Sequence, residues 1–524
     1  MAVMLVTAEQ MRLLDRRTIE DFGVPSFTLM QRAAAGAAEV LRRRFAPAQR
    51  RRILVVAGKG NNGGDGMVCA RLLARRGTSV TVALLARPED LKGDAARAFR
   101  ELRETNVAIL TNVDPRQLVS LLPQSTLLVD ALLGTGLNAP AQGAMADAIV
   151  AMNSSGRPIL SLDVPSGLDS DCGAPQGVAV CASATVTFGL TKVGQVIYPG
   201  RAFVGQLEVV DIGIPEVAVA DVSPKSWLLE PVDIARRLPV RAPTAHKGTC
   251  GHVLVLGGSV GRTGAARMAA EAALRAGAGL VTLAGPASLH ATLAAHCPEV
   301  MTFPLPDEDG NLRFDEGALR RALEGKNAVV LGPGMGTSDE CLRVVRFILE
   351  RPDLPVVCDA DGLTLLARLP GAADYKRPNL VLTPHPGEFS RLTGKAVAEI
   401  QATRPRLARE FAAQRGCTLV LKGATTLVTE EGGTLWVNPT GNPGMASGGM
   451  GDVLAGLIGG FIAQGLRTVD ASLVAVFVHG SAADALSRDY AAVGYLATDV
   501  ARAVPRQLDA LRGYQESLVK RPSA

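Results

Sequence analysis

Aromatic side chains are scarce in this chain: Phe, Tyr and Trp together make 4% of 524 residues, against 47% apolar residues in all. Its cores must therefore be built from Ala, Val and Leu, as in layered α/β enzymes. Eight cysteines are scattered, with no CxxC pair and no Cys/His cluster. That argues against a zinc site or a disulfide framework and fits reduced thiols in a cytoplasm. No secretory leader is legible at the N-terminus, which lacks a basic stretch and a long apolar run and carries Glu9 and Asp15 early. No uninterrupted apolar run approaches the roughly 18 residues of a membrane helix. The run ASLVAVFVHGSAADAL is broken by His479 and Gly480 and reads as a core helix, with His479 satisfied inside the core. The formal charge is only +5, and the arginine triplets Arg42–Arg44 and Arg50–Arg52 read as solvated faces. Nothing calls for nucleic acid or a membrane. GxxxxGK followed by Ser or Thr is missing, which excludes a P-loop NTPase. The expectation is a cytoplasmic homo-oligomer acting on small molecules.

The length predicts two or three domains. Thr7 and Gln10 form a capping-box start, and the helix that follows stops near Gly23-Val24-Pro25. Apolar runs then alternate with helical stretches: RILVVA (52–57), SVTVALL (79–85), LLVDALL (127–133), PILSLDV (158–164), ATVTF (184–188) and LEVVD (207–211). Continuous apolarity predicts strands buried on both faces, hence a parallel sheet under helices. A first domain spans residues 1–215, and proline-dotted residues 216–227 are read as a linker. A second α/β series covers 228–515, with strands predicted at 252–256, 280–284, 328–331, 355–358, 380–383, 418–421 and 434–437.

In the first half, strand 52–57 runs into AGKGNNGGDG. Gly58, Gly60 and Gly63 satisfy GxGxxG, but the next strand ends in Arg87 where a dinucleotide fingerprint wants an acid. A tight strand-to-helix turn and an ordinary dehydrogenase loop both remain readings of the glycines alone. Asn61, Asn62 and Asp65 add two amides and a carboxylate at a helix N-terminus. Two further strand ends carry VDALLGTGL with Asp130, and LDVPSGLD with Asp163 and Ser166. Parallel strand ends converge on one crevice, and these oxygen donors suit an alkali or alkaline-earth cation rather than zinc.

In the second half, GGSVGRTGAA (257–266) and LGPGMG (331–336) are strand-end glycine turns. TPHPGEF (383–389) holds His385 between prolines, and VLKGATT (420–426) offers Lys422 and two hydroxyls to phosphate oxygens. GNPGMASGGMGD (441–452) precedes a helix whose dipole points into the loop. Such a nest binds anionic phosphate. Asp452 would face the reacting group and accept a proton from a hydroxyl, as the base does in phosphoryl transfer. A helix N-cap is the alternative role for this aspartate.

The three motifs of the first half, in this order, resemble the NAD(P)HX epimerase domain over residues 1–215. That resemblance implies a Rossmann-like three-layer αβα fold that interconverts R and S hydrates of NADH or NADPH. It places Asn61, Asn62, Gly63, Gly64 and Asp65, then Gly134, Thr135, Gly136, Leu137, Asn138, Ala139 and Pro140, with Asp163, around the substrate. It gives a potassium ion to Asn62, Asp130 and Ser166, and makes Asp163 the candidate for acid/base work. TPHPGEF, KGATT and GNPGMASGGMGD together resemble the ADP-dependent NAD(P)HX dehydratase domain, with a ribokinase-like αβα fold. It implies ADP held by Lys422, Gly423, Ala424, Thr425 and Thr426 and by Asn442, Pro443, Gly444, Met445, Ala446, Ser447, Gly448, Gly449, Met450 and Gly451. Ala265, Gly336, His385 and the catalytic Asp452 would contact the hydrated nucleotide, with magnesium on the phosphates. Thr364 and Ser447 depart from the family's usual Asn and Thr; Ser447 keeps the hydroxyl, and Thr364 puts one secondary contact in doubt. Both halves in one chain resemble the bifunctional NAD(P)H-hydrate repair enzymes of bacteria. A ribokinase-like kinase of a small alcohol fused to a nucleotide-binding domain, and a non-enzymatic scaffold, are the rival readings.

Overall fold

The apolar runs of the sequence become the central strands of two parallel sheets. The computed structural model describes residues 3–136, 139–295, 297–369 and 376–519, and the chain divides into two units at Ser226/Trp227. The strands of the first unit are β1 (Val3–Val6), β2 (Arg52–Ala57), β3 (Ser79–Leu84), β4 (Ala108–Thr111), β5 (Leu127–Ala131), β6 (Ile159–Leu162), β7 (Ala184–Phe188), β8 (Thr191–Lys192) and β9 (Gln206–Val210). Seven of them form a sheet in the order β4-β3-β2-β5-β6-β7-β9, every pair parallel. β1 and β8 lie outside this sheet and pair with each other in parallel. Ile53, Val55 and Ala57 of β2 pack into one core with helices Ser26–Arg44 and Asn61–Arg75, while Leu54 and Val56 pack into another with helix Ala144–Ser154. Both faces are covered, which is why β2 reads as continuously apolar.

After β10 (Ser226–Leu228), the second unit contains β11 (His252–Leu256), β12 (Leu280–Pro286), β13 (Met301–Leu305), a small hairpin of β14 (Asp307–Glu308) and β15 (Asn311–Leu312), then β16 (Ala328–Leu331), β17 (Val356–Cys358), β18 (Leu380–Leu382), β19 (Thr418–Leu421), β20 (Leu427–Thr429) and β21 (Leu435–Val437). Its main sheet runs β13-β12-β11-β16-β17-β18-β19-β20-β21. The pairs are parallel from β13 to β19 and antiparallel from there to β21. In both units the strand order reverses beside the first long strand, at β2/β5 and at β11/β16. Crevices at such switch points are where ligands bind in open α/β sheets.

The differences from the sequence reading have local causes. β4 lies at the sheet edge with mostly exposed side chains, and β13 is an edge strand carrying Pro304, so neither shows a buried apolar run. The strand predicted at 127–133 ends at Ala131, because Leu132 and Leu133 already turn towards Gly134. Residues 216–227 contain helix Glu216–Val222 and the start of β10. Helix Thr468–Asp489 is long and apolar enough by composition to cross a membrane, yet 72% of its apolar window is buried within the protein, which suits a core helix. Inside it His479 is buried, but its Nε2 has no hydrogen-bond partner, so it is not the satisfied core histidine the sequence leads one to expect.

The scarcity of aromatics is answered by close helix packing. Helix Met450–Ala463 lies on helix Thr263–Ala276, whose contact face is Ala266, Ala269, Ala270 and Ala273. A Cβ on Gly456 would stand 2.1 Å from the Ala269 carbonyl oxygen, and one on Gly460 would stand 2.6 Å from the Ala273 oxygen. Backbone, not a flexible side chain, blocks both positions. Gly456→Ala should therefore destabilise the second unit by about 1–3 kcal/mol, read as a lowered melting temperature. Gly432→Ala, where a Cβ meets nothing within 4 Å, should stay within about 0.5 kcal/mol of the parent.

Candidate active sites

At the first switch point, the turns after β2 and β5 enclose a cavity of about 560 Å³. Asn61, Asn62, Asp65, Gly134, Thr135, Gly136 and Asp163 line it together, as the sequence predicts. Gly63 and Gly64 stand behind the wall. A Cβ on the first would lie 1.9 Å from the Gly58 oxygen, and one on the second 2.6 Å from the Met30 methyl. The absence of a side chain at these glycines lets the helix start close to the strand and to Met30. Ala139 and Pro140 are exposed beyond the cavity lining, and Leu137 and Asn138 lie outside the described residues.

Below the cavity floor, Asp130 is fully buried and its carboxylate accepts four hydrogen bonds. The donors are Ser166 Oγ (2.5 Å), Ser166 N (2.9 Å), Ser161 Oγ (2.8 Å) and Leu132 N (3.3 Å). Burial raises its pKa against these bonds, and no ion pair reaches it among the described residues. Asn62 Nδ2 donates to the Leu133 carbonyl at 2.9 Å, and Ser166 Oγ accepts from Leu133 N at 2.8 Å. So Asn62, Asp130 and Ser166 meet around Leu133. The buried Asn62 Oδ1 has no partner. An orphaned amide oxygen, joined through Leu133 and Ser166 to a buried carboxylate without an ion pair, fits a hard cation, which Asn62 would ligate and Asp130 would neutralise.

Asp163 sits at a left-handed backbone position, φ +61°, which aims its carboxylate along the end of β6. Its Oδ1 accepts from Lys192 Nζ at 2.6 Å, and this lysine also donates to Thr187 Oγ1 and the Phe188 carbonyl, both at 2.9 Å. The Lys192 side chain is only 1% exposed. Nothing in GLTKVG marks this lysine as buried, because a Lys after a short strand reads as surface charge. Asp15 is the other unforeseen member. It lines the cavity from helix Ala8–Glu20, and burial pushes its pKa to about 6, with Lys192 opposing and Asp163 adding to the rise. Burial also lifts Asp65 well above the carboxylate range.

In the second unit the turns after β11, β16 and β17 are tied to one another. Gly258 N donates to the Pro333 carbonyl and Ser259 Oγ to the Gly334 carbonyl, both at 2.9 Å. Gly336 N donates to Asp361 Oδ2 at 2.9 Å, and Arg262 pairs with the same oxygen at 3.1 Å. Ala265 lies beside Gly334, so Ala265 and Gly336 share this edge. Thr364 Oγ1 bonds back to the Ala360 carbonyl of its own helix.

Lys422, at the end of β19, pairs with the buried Asp359 at 2.7 Å and stands 3.8 Å from Glu388. A Cβ on Gly451 would come within 3.2 Å of its Nζ, so the glycine loop closes onto this lysine. Its ammonium is committed to Asp359 as well as available to a phosphate. Asp452 lies in the first turn of helix Met450–Ala463; the N-cap is Gly449 at φ +92°, so Asp452 does not cap the helix. Burial pushes Asp452 to about 7, Asp359 adds to the rise, and Lys422 opposes it. His385 caps helix Pro386–Thr393, with Nδ1 accepting from Gly387 N at 3.0 Å. Its Nε2 therefore carries the proton of the neutral ring, and burial with Lys422 nearby keeps the ring below its usual pKa. Asn442 turns inward: Nδ2 donates to Asp484 (2.9 Å), and Oδ1 accepts from Gly444 N (3.0 Å) and Tyr495 Oη (2.6 Å). Its side chain shapes the loop and leaves the backbone to a ligand. In KGATT, Thr425 adopts φ +64° with its Oγ1 buried and unpartnered, consistent with a loop built to receive one. Asp359, Glu388, Asp484 and Tyr495 are the members the motifs do not single out.

The family described as NAD(P)H-hydrate dehydratase matches residues 253–506, and the family described as YjeF-related protein N-terminus matches residues 26–194. A bifunctional NAD(P)H-hydrate repair enzyme of Moorella thermoacetica is 40% identical over 98% of this chain and 98% of its own length. One from Coxiella burnetii is 42% identical over 94% of this chain and 96% of its own. The ADP/ATP-dependent NAD(P)H-hydrate dehydratase of Bacillus subtilis, crystallised with ATP and magnesium, is 31% identical. It covers 54% of this chain and 97% of its own, with a TM-score of 0.47. The length and identity of the matches to the repair enzymes, across both units, place the chain: it belongs to the bifunctional NAD(P)H-hydrate repair enzymes.

Proposed function

We propose that the first unit interconverts the R and S hydrates of NADH and NADPH, and that the second dehydrates the S form at the expense of ADP, releasing AMP and phosphate. The observation that carries the second activity is the placement of Asp452. It is a half-buried carboxyl, raised to about 7, in the first turn of the helix behind a glycine nest and next to Lys422 and Asp359. A base poised near neutrality is what proton removal from an alcohol requires. Asp452 takes the proton of the hydrate's hydroxyl as that oxygen attacks the terminal phosphate of ADP. The P–O bond to AMP breaks, and the new phosphate ester leaves with loss of a ring proton, restoring the double bond. Backbone N–H groups of the Asn442–Gly451 loop and Lys422 hold the phosphates.

Among the described residues no group of three or more His, Cys, Asp or Glu is arranged to hold a metal. Magnesium needs no such group, because it binds through one or two carboxylates and the substrate's phosphates. Glu388 and Asp359 are the carboxylates we assign to it, and the ion would neutralise phosphate charge. In the first unit, potassium is the cation we assign to Asn62 Oδ1, with Asp130 and Ser166; it would supply fixed positive charge towards the substrate. ADP is assigned as the donor in preference to ATP through the motif resemblance, and a cytoplasmic homo-oligomer is the setting proposed. Proton transfer by Asp163 completes the first activity.

The plain kinase reading places a stable phosphorylated alcohol as the product. It is disfavoured by the first unit, whose cavity such a kinase has no use for.

Dehydratase kcat/KM should fall about tenfold per pH unit below about 7, because only ionised Asp452 accepts the proton. Asp452→Asn should lower ADP-dependent recovery of NADH absorbance by about 10²–10⁴-fold while R/S interconversion continues. Substantial repair by that variant would remove Asp452 from the role. Exchange of potassium for tetramethylammonium should slow interconversion, and Asp130→Asn should weaken the apparent potassium affinity by about 10–100-fold. Equal rates in both salts would contradict the cation assignment.

A further inference from the structure

The hydrated carbon bears a hydroxyl and is bonded to the ring nitrogen, so inverting it means breaking one of its bonds and remaking that bond from the other face. Opening the C–N bond needs no co-reactant. The hydroxyl proton leaves to a base, the C–N electron pair goes to nitrogen, and nitrogen receives a proton, giving an open-chain aldehyde. Rotation and reclosure return both protons and yield the other epimer. Two groups are required at once, one to take a proton and one to give it.

Asp163 is built to take one. Lys192 Nζ, Thr187 Oγ1 and Phe188 N all converge on its Oδ1, at 2.6, 3.4 and 3.4 Å. Its Oδ2 is left towards the substrate loop, 3.5 Å from where a Cβ on Gly134 would be. The second group must come from the remaining lining. Arg12 never releases its proton, and Lys59 is solvent-exposed rather than enclosed with the substrate. Asp94 accepts the Ser26 hydroxyl, and Lys192 is used up by Asp163, Thr187 and Phe188. Asp65 is the more deeply buried of the two remaining acids. Asp15 lines the cavity from a helix separate from the strand-end turns, is only partly buried, and has no hydrogen-bond partner among the described residues.

We propose that Asp15 is the second proton-transfer group of the epimerase site, giving a proton to the ring nitrogen while Asp163 takes the hydroxyl proton. The inference rests on the epimerase reading of this unit. Its pKa of about 6 keeps part of the population protonated near neutrality. The charged groups that share the cavity with it are Arg12 on its own helix, Lys59 and Asp65 after β2, Asp94, Asp163 and Lys192.

The test uses the full chain without nucleotide, so that dehydration does not run, and follows purified S hydrate equilibrating with R by chromatography. Asp15→Asn should lower kcat by about 10²-fold or more with KM little changed, and should erase the limb of the pH profile near 6. Asp15→Glu, which keeps a carboxyl, should restore most of the rate. Interconversion by Asp15→Asn within threefold of the parent, with the same pH profile, would overturn the assignment. So would equal loss in Asp15→Asn and Asp15→Glu when both melt like the parent. If Asp15→Asn does not fold, the Asp15→Glu rate and pH limb decide alone. Failure of the parent itself to interconvert the hydrates would instead overturn the epimerase reading.

Discussion

Each unit places one buried lysine–aspartate pair at the carboxyl ends of its parallel strands, and the chemistry of each is arranged around that pair. In the first, Lys192 holds Asp163 at 2.6 Å; in the second, Lys422 holds Asp359 at 2.7 Å. Taking two charges out of water is costly, and such a pair survives only with further hydrogen bonds. Thr187 and the Phe188 carbonyl supply them for Lys192, and Glu388 adds a second acid beside Lys422. What the pairs provide is position and field. Asp163 is fixed with one oxygen committed and the other turned to the cavity. Burial, with Asp359, Asp361 and Glu388 set against a single lysine, moves Asp452 into the working range of a base.

The same lysines carry different second duties. Lys192 is enclosed by protein groups, so its role is to hold and orient a carboxylate. Lys422 also stands against the glycine loop at Gly451 while paired with Asp359 and near Glu388, so under the proposed function a phosphate there would compete with these carboxylates for its ammonium. The glycines that look alike in sequence divide along the same line. Gly63, Gly64, Gly456 and Gly460 allow backbones and helices to approach, and Gly444 lets its loop close on Tyr495, whereas a Cβ on Gly136 or Gly448 would meet open space.

Much of this was legible in the residues. NNGGDG, VDALLGTG and LDVPSG do meet at one crevice, and Asn62, Asp130 and Ser166 do gather around Leu133. Continuous apolar runs located the central strands, because burial on both faces leaves that signature. The edge strands β4 and β13 escaped, since their exposed side chains carry no such pattern. Lys192, Asp15 and Asp359 escaped for another reason. A charged residue shows its function only through burial and partners, and those are set by residues far away in sequence. The inward turn of Asn442 was hidden in the same way, because Tyr495 and Asp484 lie some fifty and forty positions on in the chain.

The two activities are complementary: hydration gives both epimers, while dehydration by phosphorylation and elimination uses one. The most direct test is a time course on an unresolved mixture of R and S NADH hydrate with ADP and magnesium in potassium buffer, following NADH absorbance. Recovery of all the hydrate supplied, with an equal amount of AMP formed, is the predicted result. A halt at the S fraction, or accumulation of a stable phosphorylated product without NADH, would contradict it.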